Sequence, residues 1–375
     1  MRPFACPNCR RLNHFEVRVC PDCSATLGYD PEIDRFRFLA DQGTVWRDRE
    51  GAAADLVVCA NNNAYGICNW LTTPDAEGGM CRACRHNRTI PDLNDPAVPP
   101  LWAKVEEAKR RLFHTLIRLG LPLETKAEER DGVQGLAFDF LHAGDGATGG
   151  TKIITGHDEG LITLDVSEAD DAHREQVRLA MGEPYRTLLG HFRHEVGHHY
   201  WSRLVATDPA RLEAFRALFG DERADYAAAL QAHYNGGAQP WTEDFVSSYA
   251  TSHPWEDFAE PFAHYRHIVD VLATARGFDL SLTAFGGSDG DGHVAVEFDP
   301  YRADAPALTA EMAPVSFAMN AVNRAMGQPD LYPFHLSDAI AAKLAFMQQM
   351  VADARTGNSQ ATAEPHQPEV MAVAS

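Results

Sequence analysis

Between Gly190 and Trp201 the sequence reads GHFRHEVGHHYW, four histidines and one glutamate within twelve residues. His194, Glu195 and His198 form the pattern H-E-x-x-H. On a helix, positions i and i+4 lie about one turn apart on one face, so both rings can offer a nitrogen to a single ion. Zinc takes such nitrogens at roughly 2.0–2.1 Å. Glu195 projects about 100° away from His194. It is not placed as a ligand, and it can reach a water at the ion as a general base. His191 falls near the same face, but three adjacent histidine ligands from one helix would strain a tetrahedral site. It is read as a neighbour of the motif, and His199 as a packing residue.

A hydrolytic zinc needs a third protein ligand and an open fourth position. The sequence has no H-E-x-x-H-x-x-G-x-x-H extension, because the position of a third histidine falls near Val205. The stretch SYATSHPWEDFAEPFAHYRH supplies carboxylates instead. Pro254 favours a helix start, and Glu256 and Glu260 follow at i and i+4. One can ligate zinc while the other accepts the ring N–H of a ligating histidine and fixes its tautomer. Trp255, Phe258 and Phe262 beside them point to a partly buried segment, where unpaired carboxylates are costly.

All eight cysteines lie between Cys6 and Cys84. Cys6, Cys9, Cys20 and Cys23 are spaced C-x2-C-x10-C-x2-C, two thiolate turns around a short hairpin, which predicts a structural zinc site. A redox dithiol fits less well, since such motifs normally occur once and near a βαβ pattern. Cys59, Cys68, Cys81 and Cys84 form a second candidate set, spaced C-x8-C-x12-C-x2-C. With few aliphatic residues of its own, a module over residues 1–95 needs metal to fold.

The elements that must carry these residues follow from periodicity. In LWAKVEEAKRRLFHTLIRLG, Leu101, Val105, Ala108, Leu112, Leu116 and Leu119 recur at helical spacing, and Gly120 with Pro122 ends the run. From 133 to 166 the period becomes two. Leu136, Phe138 and Phe140 alternate, HAGDGATGG turns, KIIT returns, and Ile162, Leu164 and Val166 alternate again, which predicts a small antiparallel sheet. The strand GLITLDV is expected to present an exposed edge for an extended peptide. Helices are predicted from Pro184 to about Val205, from Pro209 to Gly220, and near 222–234, 254–275, 312–326 and 337–353. FGGSDGDGH reads as a surface loop without EF-hand spacing, and residues 354–375 as a disordered tail. The expectation is an α+β chain: a zinc-ribbon module over 1–95, then a mainly helical zincin-like domain over 96–353 with a small antiparallel sheet.

The formal charge is −20, of which residues 1–84 contribute −2 and the remainder −18. Nucleic-acid binders usually present a basic face, and none is evident, so nucleic acid is not an expected partner. No apolar run approaches the roughly 18–20 residues that a membrane span requires. The start, MRPFACPNCR, has no apolar segment of a secretory signal, so a cytoplasmic protein is expected.

The segments CPNC, CPDC, LGYDPE, CNWL, CRHNRTIPDL, EAKRRL, TGHDEGLITLDVSEADD, EPYRTLLGHFRHEVGHHYW, FGDERADYAAALQAHY and HPWEDFAE together resemble the zinc-binding metallopeptidase family that carries an N-terminal zinc-ribbon domain. The resemblance runs from about residue 3 to residue 275. It implies a peptide or protein substrate, one catalytic zinc and up to two structural ones. The layout is also similar to the wider gluzincin group, where a downstream helix carries an E-x-x-x-D/E pattern. That similarity implies Glu256 as the ligand and Glu260 as the group behind it. It also implies that Tyr249, seven residues before Glu256, stabilises an oxyanion, although Pro254 interrupts the intervening segment. Two functions remain open at this level: a zinc peptidase, or a zinc-ribbon protein that binds protein or nucleic acid and retains a vestigial metal site. Hydrolysis of a non-peptide amide is a third.

Overall fold

The computed structural model describes residues 1–41, 43–142, 153, 155–237, 242–283 and 293–363. The architecture is α+β and mainly helical, with a zinc-ribbon region at the N-terminus. The ribbon opens with a short antiparallel pair, Phe4–Ala5 against Leu12–Asn13, which brackets the first cysteine turn. Four antiparallel strands follow in sequence order: β1 (Leu27–Asp30), β2 (Arg35–Ala40), β3 (Val45–Arg47) and β4 (Ala53–Ala54). Phe4, Phe15, Tyr29, Phe36 and Trp70 fill the ribbon's interior.

The next strand, β5 (Asn87–Thr89), leads into the 22-residue helix α1 (Val98–Leu119). Pro99 and Pro100 occupy its first turn, where their missing N–H groups cost nothing. Gly120, at φ +73°, ends it in the left-handed conformation, its N–H bonded to the carbonyls of Ile117 and Leu116. Val105, Leu112, Leu116 and Leu119 of the predicted stripe are fully buried.

Beyond α1 lie β6 (Ala137–Leu141), β7 (Gly156–Asp158) and β8 (Leu161–Asp165), and the sheet order is β7-β8-β6-β5. The expected antiparallel pairing occurs between β7 and β8, and the strand pairs of the ribbon are antiparallel as well. The sheet as a whole is mixed, however: β6 runs parallel to both β8 and β5. Alternation reports which faces are buried and is the same for either strand direction, so it could not distinguish the two. Parallel neighbours need a crossover, and α1 supplies it between β5 and β6. The strand GLITLDV is likewise not an edge, since β8 has β6 on one side and β7 on the other. The HAGDGATGG turn beyond His142, half of KIIT (Lys152 and Ile154), and the FGGSDGDGH loop before His293 lie outside the described residues.

Helix α2 (Asp171–Met181) has no counterpart in the periodicity, having no buried residue; Asp170 caps it by accepting the His173 N–H. The motif helix α3 spans Leu188–Tyr200. It starts at the Thr187 cap, whose hydroxyl accepts the Gly190 N–H, and not at Pro184. A single wide turn, Trp201–Val205, extends it. Then come α4 (Pro209–Phe219), α5 (Tyr226–Ala232), α6 (Pro254–Gly277), α7 (Ala305–Ala325) and α8 (Asp338–Ala363). Asp304 caps α7, whose first residue, Ala305, lies seven residues before the expected start. Helix α8 continues past Asp353, ten residues into the stretch expected to be disordered; extending an existing helix adds one hydrogen bond per residue with no new nucleation. Residues 364–375 lie outside the described ones.

Ribbon and helical region share one continuous core. His114 of α1 lies edge-on to Phe15, ring centroids 5.3 Å apart. Its Nε2 is 3.0 Å from Asp34 of the ribbon, a carboxylate also held by Tyr29, Arg2 and Arg118. In sequence, β5 lies before the expected boundary at residue 95; in space it is a strand of the sheet behind α3.

Candidate metal centre

Helix α3 crosses α6 at Gly197, inside the H-E-x-x-H motif. A Cβ built on Gly197 would sit 3.0 Å from the Ala259 Cα, tighter than real contacts allow without movement. The glycine thus permits the close approach that brings the first two turns of α6 against the two histidines. His194 Nε2 lies 2.9 Å from Glu256 Oε2, His198 Nε2 lies 3.4 Å from the same oxygen, and the two Nε2 atoms are 3.3 Å apart. Ligand atoms on a tetrahedron with bonds of roughly 2.0–2.1 Å are about 3.3 Å apart. Glu256 is fully buried, and its Oε2 has no hydrogen-bond partner. Three electron-rich atoms converging around a buried, unpartnered carboxylate oxygen fit a divalent cation.

The supporting groups complete the arrangement. Glu260 Oε1 is 2.7 Å from His194 Nδ1, so the ring donates there and turns Nε2 toward the centre. Tyr226, at the start of α5, donates its hydroxyl to Glu256 Oε1 at 2.6 Å. The His157 ring of β7 stacks beside His198 at 5.9 Å. Burial alone would lower the His194 pKa, but the neighbouring carboxylates of Glu256 and Glu260 outweigh it and raise it well above the usual value. Burial likewise works to raise Glu256, and the two histidines overcome it and hold the carboxyl well below its usual range.

Glu195 is not one of the three converging groups. Its Oε1 is 3.2 Å from Nε2 of His191, one turn earlier on α3. Burial pushes its pKa up, yet the His191 hydrogen bond and the charges of His194, His191 and His198 bring the net shift down. His199 is fully buried with neither ring nitrogen hydrogen-bonded, and burial drives its pKa far down. Tyr249 sits in a short turn, Tyr249–Thr251, separated from α6 by the His253 cap. Its ring centroid is 5.7 Å from that of His194. Burial, then the Glu256 charge, keep its phenol protonated far above ordinary pH.

Sequence reasoning missed Tyr226, His157 and Glu168, a carboxylate 2.7 Å from His191 Nδ1. Tyr226 lies thirty residues before its partner, so no local spacing could signal it.

Each cysteine quartet also converges. In the first, Cys6 and Cys23 sulfurs are 3.8 Å apart and those of Cys9 and Cys20 3.6 Å. In the second, Cys68 lies 3.8 Å from both Cys81 and Cys84, and Cys59 belongs to the same cluster. These spacings are far beyond a disulfide bond of about 2.05 Å. They match the edge of a tetrahedron with Zn–S bonds of roughly 2.3 Å, about 3.8 Å. Four thiolates around a dication leave a net negative charge. Buried Arg110, with Nε and Nη1 unpartnered, lies within the field of the second quartet. Glu106 of α1 approaches Cys84 Sγ at 3.7 Å and is paired with Lys109 at 2.9 Å and Asn87 Nδ2 at 2.7 Å. A cavity of about 550 Å³ opens at this seam and touches Cys84, but none of the H-E-x-x-H residues.

Among the described residues no helix is long and apolar enough to cross a membrane. Residues 99–350 match the family model described as "Putative zinc-binding metallo-peptidase", and residues 3–95 match a zinc-ribbon domain. The uncharacterized proteins Rv2568c of Mycobacterium tuberculosis and Mb2598c of Mycobacterium bovis are each 41% identical to this chain over 355 residues, covering 94% of it and 95% of the relative. No solved structure matches significantly.

Proposed function

We propose that this chain, which belongs to the zinc-binding metallopeptidase family, hydrolyses peptide bonds at the His194–His198–Glu256 centre, with Glu195 as general base. The observation that supports this most is the carboxylate of Glu195. It is nine-tenths buried beside the three converging ligand atoms, yet is not one of them. A purely structural metal site has no use for such a group.

Zinc held by the three residues supplies a Lewis acid that polarises a carbonyl and makes water acidic enough to ionise near neutral pH. Glu195 takes the proton of the attacking water and later delivers one to the leaving amine. Glu260 fixes the His194 ring, and Tyr226 fixes the outer oxygen of Glu256. Tyr249, protonated and beside His194, donates a hydrogen bond to the oxyanion that forms on the substrate. The two quartets, Cys6–Cys9–Cys20–Cys23 and Cys59–Cys68–Cys81–Cys84, hold structural zinc, giving three ions per chain. We assign the cytoplasm, where thiols are kept reduced. The ribbon's exposed face is available for a protein partner.

The test is Glu195→Gln measured beside the wild type for zinc content by elemental analysis and for turnover on a peptide library. The expected result is three zinc ions in both and a loss of about 10²–10⁴-fold in rate, the usual worth of a general base. Full turnover by the zinc-loaded variant would remove Glu195 from the chemistry, whereas no cleavage by the zinc-loaded wild type would favour a binding protein with a vestigial site.

A further inference from the structure

The general-base carboxylate is one end of a buried three-residue chain. His191 precedes Glu195 by one helical turn, and its Nε2 is 3.2 Å from Glu195 Oε1. Its Nδ1 is 2.7 Å from Glu168 Oε2, in the turn after β8. Glu168 is itself fixed: its Oε1 accepts the Thr155 hydroxyl at 2.6 Å, and Arg186 lies 3.6 Å from Oε2. The side chains of His191, Glu168 and Glu195 are 17%, 12% and 9% exposed. Both ring nitrogens of His191 therefore face carboxylates, and neither is left for the metal centre.

We propose that His191 is a positioning residue for the hydrolytic step: its Nε2–H holds Glu195 Oε1, leaves Oε2 to meet the attacking water, and is itself held in place by Glu168. The inference rests on the hydrolase reading and adds to it two residues that touch neither the ligand atoms nor the substrate. A glutamate on a helix surface rotates about three side-chain bonds, and a general base must lie within hydrogen-bond reach of the proton it takes. Anchoring one oxygen removes most of that freedom while the other stays unpaired. The same arrangement is known behind metal ligands, where loss of the outer partner costs about 10–100-fold; here it stands behind the base. An ion pair serving only stability would not act through Glu195.

The test uses the zinc-loaded full chain and a peptide that the wild type cleaves. His191→Phe fills the ring's space without its donors and is expected to lower kcat by about 10–100-fold, with KM and zinc content unchanged. Glu168→Gln, which leaves the ring in place, is expected to show a smaller loss of the same kind. In the Glu195→Gln background neither substitution should reduce turnover further. An unchanged kcat in His191→Phe, or losses that multiply in the double variants, would overturn the proposal. Independently of turnover, a crystal structure of zinc-loaded His191→Phe should show the Glu195 carboxylate displaced or in several rotamers, and one unmoved rotamer would overturn it. Full activity in Glu195→Gln alone would instead remove Glu195 as general base, and no cleavage by the zinc-loaded wild type would defeat the hydrolase reading; both results are obtained before His191 is altered.

Discussion

The Tyr226 hydroxyl donates to Glu256 Oε1 at 2.6 Å, on the carboxylate oxygen that the two histidines leave free. Oε2 stays directed at His194 and His198, so the contact favours one-oxygen coordination and keeps a position open for water. Tyr226→Phe removes only the hydroxyl. Zinc affinity at this centre should fall by about 10–100-fold, the usual cost of losing a partner behind a ligand, while the cysteine sites keep their metal. Competition against a graded series of chelators measures this, and unaltered affinity would show that the hydroxyl does not hold Glu256.

The two carboxylates of α6 should differ in kind. Glu256→Ala removes a ligand atom, and purified protein should retain two zinc ions of the proposed three. Glu260→Ala removes the acceptor behind His194 Nδ1 and should weaken the site by about 10–100-fold without emptying it at saturating zinc. Elemental analysis of the two variants decides, and the reverse order would exchange their roles.

The two cysteine quartets should also differ in reach. Cys84 adjoins Glu106 of α1, and Asn87, three residues later, pairs with β6. Cys84→Ser should therefore make the region 99–350 sensitive to limited proteolysis, whereas Cys6→Ser should loosen the first hairpin and leave the third zinc bound. Equal protection of that region in both variants would mean that the second quartet does not brace it.

The His191–Glu168 pair predicts a pH dependence of stability. Burial works against both charges, but mutual attraction prevails, raising His191 from 6.5 to about 9 and lowering Glu168 from 4.5 to about 2. The raised histidine stabilises the fold fully below pH 6.5 and loses that contribution as pH rises through about 9. The depressed carboxylate stabilises above 4.5 and loses its contribution as pH falls through about 2. Both act together between 4.5 and 6.5. The gap in urea midpoint between wild type and His191→Phe should narrow as pH rises from 6.5 to 9. A constant gap would show that charge is not what the ring contributes.

Local spacing made the candidate ligands legible as groups that the fold brings together. His194 and His198 are one turn apart, as are Glu256 and Glu260, and the cysteine quartets rest on short loops. The helix ends set by Asp208, Pro209, Gly120 and Pro254 were legible for the same reason, because capping is local chemistry. What escaped depends on contacts between distant segments. Strand direction in β6 leaves alternation unchanged, so the parallel pairing with Asn87 and Leu161 had no sequence signal. Tyr226 meets Glu256, and Glu168 meets His191, only after α5 and the turn following β8 have packed. Helix α2, with no buried face, lacks the stripe that periodicity detects.

The place of β5 in the sheet has a consequence for any shortened form of this chain. Asn87 and Thr89 pair with Phe138 and Asp139 along the outer side of β6, although they precede α1. A fragment beginning at Val98 would keep every ligand of the third centre but leave that flank of β6 with open N–H and C=O groups. Such flanks recruit strands from other molecules. The fragment should therefore self-associate even with the proposed catalytic residues intact, and adding back Cys81–Pro91 at its N-terminus should do more for its solubility than any change on the helical surface.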